Sequence, residues 1–91
     1  LEVLACSRNP VSNLAPLAGL ANLRVLNVEN TPVASLAPLV SLKKLEDLKC
    51  SGTQIRDLKP VASLVNLKHL ECFNTGVKAL KPLNGLPALS M

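Results

Sequence analysis

Residues 45–66 read LEDLKCSGTQIRDLKPVASLVN, and this stretch decides the fold. Toward the end of its first six residues, apolar and polar side chains alternate, which is typical of a β-strand with one buried face. Leu48 and Cys50 are expected to point inward, and Asp47, Lys49 and Ser51 outward. The stretch therefore begins with a short strand that carries polar side chains on its exposed side.

The second half of the stretch predicts a turn and a short helical segment. Residues 51–54 are rich in turn formers, and Ile55 and Leu58 then return to the core. Pro60 suits the first position of a helical turn, because its φ is fixed and it has no N–H to donate. The next apolar residues recur every three positions, at Val61, Leu64 and Leu67. This spacing favours a 3₁₀ or irregular helical segment over a long α-helix.

The same pattern recurs every 22 residues without insertion or deletion. The main columns are Leu1, Leu23, Leu45, Leu67 and Leu89; Leu4, Leu26, Leu48 and Leu70; Leu14, Leu36, Leu58 and Leu80; Leu20, Leu42, Leu64 and Leu86; and Pro16, Pro38, Pro60 and Pro82. One unit cannot bury its apolar residues, whereas stacked units can. The sequence predicts an α/β solenoid with a curved parallel sheet on its concave side and short 3₁₀ or irregular helical segments on its convex side. We expect one domain over residues 1–91, with repeats 1–22, 23–44, 45–66 and 67–88, as a fragment of a longer array.

The repeat resembles the leucine-rich-repeat consensus over essentially the whole chain. It reads Leu-x-x-Leu-x-[Cys/Val]-x-x-[Asn/Thr]-x-[Val/Ile]-x-x-Leu-x-Pro-[Leu/Val]-x-x-Leu. The 22-residue length and the Leu-x-Pro-Leu segment are most similar to the repeats of bacterial internalins, and a eukaryotic protein-phosphatase regulatory subunit has a similar repeat class. The family's asparagine ladder is kept only at Asn9; Thr31, Thr53 and Thr75 replace it. The resemblance implies a solenoid of bacterial type and leaves the partner open.

Composition and motifs argue against several classes of protein. The chain has no apolar run near roughly 18 residues, so no membrane span is expected. It has no phosphate-binding glycine loop and no nucleophile elbow, and it has a single histidine. We therefore predict that this segment is not an enzyme and has no cofactor or metal. Both ends look cut and uncapped, which predicts a longer native chain or end-to-end self-association of copies; a monodisperse monomer would count against self-association.

The three cysteines fall in one inward column, Cys6, Cys50 and Cys72. Cys50 and Cys72 belong to adjacent strands, so a Cα separation of ~5 Å is within disulfide range, although their side chains point the same way. Cys6 is two strands from Cys50, roughly 10 Å away, so three thiolates cannot converge on one zinc ion. The favoured interpretation is three small buried apolar residues in a reducing compartment, the cytoplasm or a host cytoplasm if the protein is a secreted effector.

The outward strand positions form the candidate binding surface. The first outward column, Glu2, Arg24, Glu46 and Lys68, should form ion pairs that keep the register. The predicted partner-binding residues lie in the other columns: Glu29, Asp47, Lys49, His69, Glu71 and Phe73. Phe73 is the only aromatic residue, and it is either an interface anchor or packed beside Ser51 or a further repeat. His69 next to Asp47 has too few partners for catalysis or metal binding, so a contact role is favoured.

A basic edge adds a second possible surface. Arg56, Lys59, Lys78 and Lys81 should cluster near the loops of the last two repeats, within a chain of net charge +4. No aromatic residue alternates with them, so nucleic-acid binding is the weaker alternative. The main prediction is a protein-interaction module, and the second is a substrate-recognition or targeting segment of a larger bacterial effector or enzyme.

Overall fold

A computed structural model describes residues 2–78 together with Leu83 and Leu86. It contains four three-residue strands, β1 (Val3–Ala5), β2 (Val25–Asn27), β3 (Asp47–Lys49) and β4 (His69–Glu71). They pair in parallel in the order β1-β2-β3-β4. Each residue faces the equivalent residue of the next coil, as Leu26 faces Leu48. The predicted fold class, a parallel-sheet solenoid with short 3₁₀ segments, is confirmed.

In residues 2–78, three 3₁₀ helices form the opposite side, η1 (Ala15–Gly19), η2 (Ala37–Leu39) and η3 (Lys59–Ser63). The prediction for Pro60 is wrong by one position, because Lys59 is the first helical residue and proline the second. The Lys59 amide donates to Asp57 Oδ1 at 2.8 Å, so this position needs an N–H that proline lacks. The side chains of Asn13 and Ser35 accept from the first amides of η1 and η2 in the same way. No helix in the described part of the chain is long and apolar enough to cross a membrane.

Stacked aliphatic side chains form the core. Leu26 and Leu48 are fully buried and Leu70 is 3% exposed, whereas Leu4 is only partly buried on the outermost strand. Ile55 and Leu58 are buried, as predicted. The predicted positions Leu1, Leu80, Pro82 and Leu89 lie outside the described residues.

One turn after each strand redirects the chain, and it depends on a left-handed residue. That residue is Arg8, Asn30, Gly52 or Asn74, with φ between 52° and 72°. The side chain of the following residue hydrogen-bonds the backbone of the turn. The Thr31 and Thr53 hydroxyls each donate to the carbonyl three residues back at 2.7 Å. Threonine thus replaces the family's asparagine with a single donor hydroxyl.

We expect Thr53→Val to lower the free energy of unfolding by ~1–3 kcal/mol, because the isosteric side chain leaves the buried Cys50 carbonyl without its donor. The matched control is Ser12→Ala, since it removes a hydroxyl from an exposed side chain in the first coil. Urea unfolding of both variants measures the difference. A Thr53→Val midpoint equal to that of the control would show that the buried hydroxyl contributes nothing.

We expect Gly52→Ala to destabilise the fold by about 1–2 kcal/mol, because residue 52 has φ +72° and an added Cβ would collide with the Asn30 side chain. Gly19→Ala is the control, since a Cβ there meets nothing within 4 Å. Thermal unfolding of both variants compares them, and a Gly52→Ala protein as stable as Gly19→Ala would contradict the strain argument.

Candidate functional site

The outward side chains of the four strands and of the columns that flank them form one surface, here called the strand face. Its four columns are Glu2, Arg24, Glu46 and Lys68; Val3, Val25, Asp47 and His69; Ala5, Asn27, Lys49 and Glu71; and Ser7, Glu29, Ser51 and Phe73. The register places Asp47 opposite His69 and Lys49 opposite Glu71. The ladder continues past the strands, because the Val28 amide donates to the Lys49 carbonyl and the Cys50 amide to the Glu71 carbonyl, both at 2.8 Å. The strand face therefore has a rigid backbone beneath it.

Ion pairs occupy the first outward column, as predicted. Arg24 lies between two carboxylates, 3.0 Å from Glu2 and 3.3 Å from Glu46, and Lys68 is 3.5 Å from Glu46. The hydrogen bond from Arg24 lowers the pKa of Glu46, and those to Glu2 and Glu46 raise the pKa of Arg24. The charges of this column are neutralised within the protein.

Charges in the next columns are arranged differently. Asp47 Oδ1 is buried and has no hydrogen-bond partner among the described residues. The ion pairs found in that part of the chain include none with Glu29, Asp47 or Lys49. His69 is in register with Asp47, yet its Nε2 lies 3.3 Å from Glu71 Oε2 on its own strand. The face therefore contains charged groups that the fold itself does not use.

Phe73 follows β4 with its side chain 70% exposed. Two hydrogen bonds fix its backbone: its amide donates to Ser51 Oγ at 2.9 Å, and its carbonyl accepts from the Gly52 amide at 2.8 Å. Ser51 thus contacts the backbone of Phe73. A cleft of about 510 Å³ adjoins the ring and is lined by consecutive residues, His69, Leu70, Glu71, Cys72 and Phe73.

The three cysteines are free thiols, and only Cys50 is fully buried. The prediction of one uniformly buried column is wrong for Cys6 and Cys72, which are partly exposed. Both lie beside the outermost strands, whereas Cys50 has a strand on each side. Burial raises the pKa of the Cys50 thiol to about 12, and it also raises the pKa of Cys6 and of Cys72. Within the described residues, no cluster of three or more potential ligands could hold a metal ion.

The basic edge is partly described. Arg56, Lys59 and Lys78 are exposed, and Lys81 lies outside the described residues. Two further lysines on the helical side instead bind the next or preceding coil: Lys43 Nζ donates to the Ser63 carbonyl at 3.2 Å and Lys44 Nζ to Asn22 Oδ1 at 3.1 Å.

The comparisons with known proteins agree with this architecture. A family model described as leucine-rich repeats, in two copies, matches residues 21–63. Over these residues the chain is similar to leucine-rich-repeat proteins. Its repeats are internalin-like: a crystal structure of an internalin (InlF) from Listeria monocytogenes matches with TM-score 0.95 and 30% identity, covering 99% of this chain and 26% of that one.

Two other solved structures extend the likeness. Internalin C2 (InlC2) from Listeria monocytogenes matches with TM-score 0.88 and 31% identity, covering 93% of this leucine-rich-repeat chain and 38% of its own length. A leucine-rich-repeat protein from Leptospira interrogans matches with TM-score 0.84 and 25% identity, covering 100% of this chain and 25% of that one. The chain thus spans less than two-fifths of each of these relatives. No curated protein sequence matches it.

The register places four of the predicted residues on two adjacent strands, Asp47, Lys49, His69 and Glu71. The sequence contains no direct sign that Asp47 Oδ1 lacks a hydrogen-bond partner among the described residues. The available signal was the rest of its column, because Val3 and Val25 offer no side-chain hydrogen-bond donor. A carboxylate that follows two valines in a column finds no side-chain donor in the preceding coil of that column.

We expect thiol reagents at neutral pH to label Cys6 and Cys72 well before Cys50. Thiolate is the reactive form, and a pKa of about 12 keeps buried Cys50 protonated until the pH rises toward that value or the chain unfolds. Mass spectrometry of iodoacetamide-treated peptides, with and without urea, measures each site. Labelling of Cys50 as fast as Cys6 in the folded protein would contradict its burial.

Proposed function

We propose that this repeat segment binds another protein through the strand face, with Glu29, Asp47, Lys49, His69, Glu71 and Phe73 as the contact residues. The observation that carries the proposal is Phe73, an exposed aromatic ring on a backbone fixed by two hydrogen bonds. Proteins use such rings as anchors because they bury a large area with little loss of side-chain entropy.

The fold supports this proposal in general terms. Leucine-rich-repeat solenoids generally mediate protein–protein interaction, and the internalin-like fold is typically a non-enzymatic module. The parallel strands hold the contact residues in fixed columns, so a partner meets a preorganised surface and loses less entropy on binding. The proposal is therefore a binding role without chemistry in this segment.

The charged neighbours of Phe73 support the same surface. Glu71 and His69 lie on the strand that leads to the ring, and Lys49 is in register with Glu71. An apolar anchor surrounded by charged side chains is the usual anatomy of an interface, in which the rim groups select the partner.

The alternative is a targeting segment of a larger bacterial effector or enzyme. It is favoured by the comparison lengths, since the matched internalins and the Leptospira protein are much longer than this chain. In that case the strand face would select a substrate for chemistry performed elsewhere in the protein. The full-length reading frame distinguishes the two, because a catalytic domain beside the repeats would favour the alternative.

A phage-displayed library of random peptides, selected on the immobilised chain, tests the surface. We expect Phe73→Ala to weaken the binding of the selected peptides by ~2 kcal/mol, about 30-fold in Kd, because the substitution removes the aromatic anchor. The matched control is Val65→Ala, since Val65 is another exposed apolar side chain, 52% exposed, after η3 on the helical side. Peptides that bind both variants equally well would place recognition away from the strand face.

A further inference from the structure

The strand face divides into charges that the fold uses and charges that it does not. The column of Arg24 and Glu46 is joined by ion pairs of 3.0 to 3.5 Å. Among the described residues, Glu29, Asp47 and Lys49 make no ion pair, and the one ion pair found for Glu71 is with the ring of His69. Unpaired charges at neighbouring positions on a rigid surface are available to a partner.

These available charges are unbalanced. Glu29, Asp47 and Glu71 are three carboxylates, whereas Lys49 is the one cation among them, and the ion-pair column is neutral. The strand face therefore has two net negative charges, within a chain whose net charge is +4. The positive excess lies elsewhere, so the strand face is a more favourable surface for a cationic group than the rest of the chain.

Of these carboxylates, Asp47 is the one that a cation from a partner would stabilise most. Its Oδ1 is buried without a hydrogen bond, and its register neighbours are Val25 and His69. The Asp47 residue as a whole is only half-buried, and its carboxylate makes no ion pair in the described part of the chain, so a guanidinium or ammonium group from outside can form a charge-assisted hydrogen bond with it. Asp47 is therefore an incomplete pair on the surface proposed to bind a protein.

We propose that the partner contributes an arginine or lysine side chain that pairs with Asp47, together with an apolar side chain that packs on Phe73. This inference rests on the proposed function and names the chemistry of its partner. Asp47 and Phe73 are four residues apart along the strand direction and one strand apart, which gives roughly 14 Å between their Cα positions. A partner segment in extended conformation covers that distance in about four residues.

The peptides selected on the immobilised chain test this chemistry directly. We expect the Phe73-dependent peptides to carry arginine or lysine about four positions from an apolar or aromatic residue. Asp47→Asn should weaken the binding of these peptides about tenfold, and the Kd of their binding to the parent chain should rise with salt concentration. The matched control is Asp57→Asn, because Asp57 is an exposed acidic residue in the loop before η3 and away from the strand face.

Unfolding of the Asp47→Asn chain in urea separates binding from folding. The substitution removes the charge of a half-buried carboxylate that has no ion pair among the described residues, so the variant should be at least as stable as the parent. If Phe73-dependent peptides lack basic residues, or bind Asp47→Asn as tightly as the parent, the inference is overturned while the proposed function stands. If no peptide is selected, or none depends on Phe73, the proposed function fails and the inference fails with it.

Discussion

The hydrogen-bond register between successive coils is the constraint on which the rest of this structure depends. Strand amides donate to both neighbouring coils: the Val28 amide donates to the Lys49 carbonyl of the next coil at 2.8 Å, and the Asp47 amide donates to the Arg24 carbonyl of the preceding coil at 3.0 Å. Leu26 therefore lies over Leu48, and Asn27 beside Lys49. A slip of one residue would turn the leucines toward solvent and the charged side chains toward the core. The same register therefore both buries the aliphatic column and orders the outer surface.

The sequence predicted most of the fold because the period carries the information. A column such as Leu4, Leu26, Leu48 and Leu70 specifies which residues stack, whatever the details of each coil. Two predictions failed where a contact at one position decides the outcome. Pro60 is second in its helix because Asp57 needs the Lys59 amide as its donor. Cys6 and Cys72 are more exposed than Cys50 because burial depends on strands at both sides, which the repeat pattern treats as equivalent.

The sequence predicted which residues share an outward column of the candidate site, but it did not predict which of their side chains contact each other. Alternation and period together identify Asp47, Lys49 and Glu71 as outward neighbours, since both follow from backbone geometry. Which groups then touch depends on side-chain rotamers: His69 contacts Glu71 two residues along its own strand, although its register neighbour is Asp47. A single sequence contains no pattern for such a choice, because several rotamers of exposed side chains have similar energies.

The two kinds of outward column contribute differently to the stability of the fold. Arg24 and Glu46 neutralise each other across the strands, so changing either would remove one of the two ion pairs that its neighbour makes. Glu29 and Lys49 have no ion-pair partner in the described part of the chain, so the register does not depend on their charge. Residues of this second kind can vary without loss of the solenoid. The same backbone can therefore present different chemistry to different partners, because the leucine columns, the turn residues and the hydrogen bonds between coils maintain its shape.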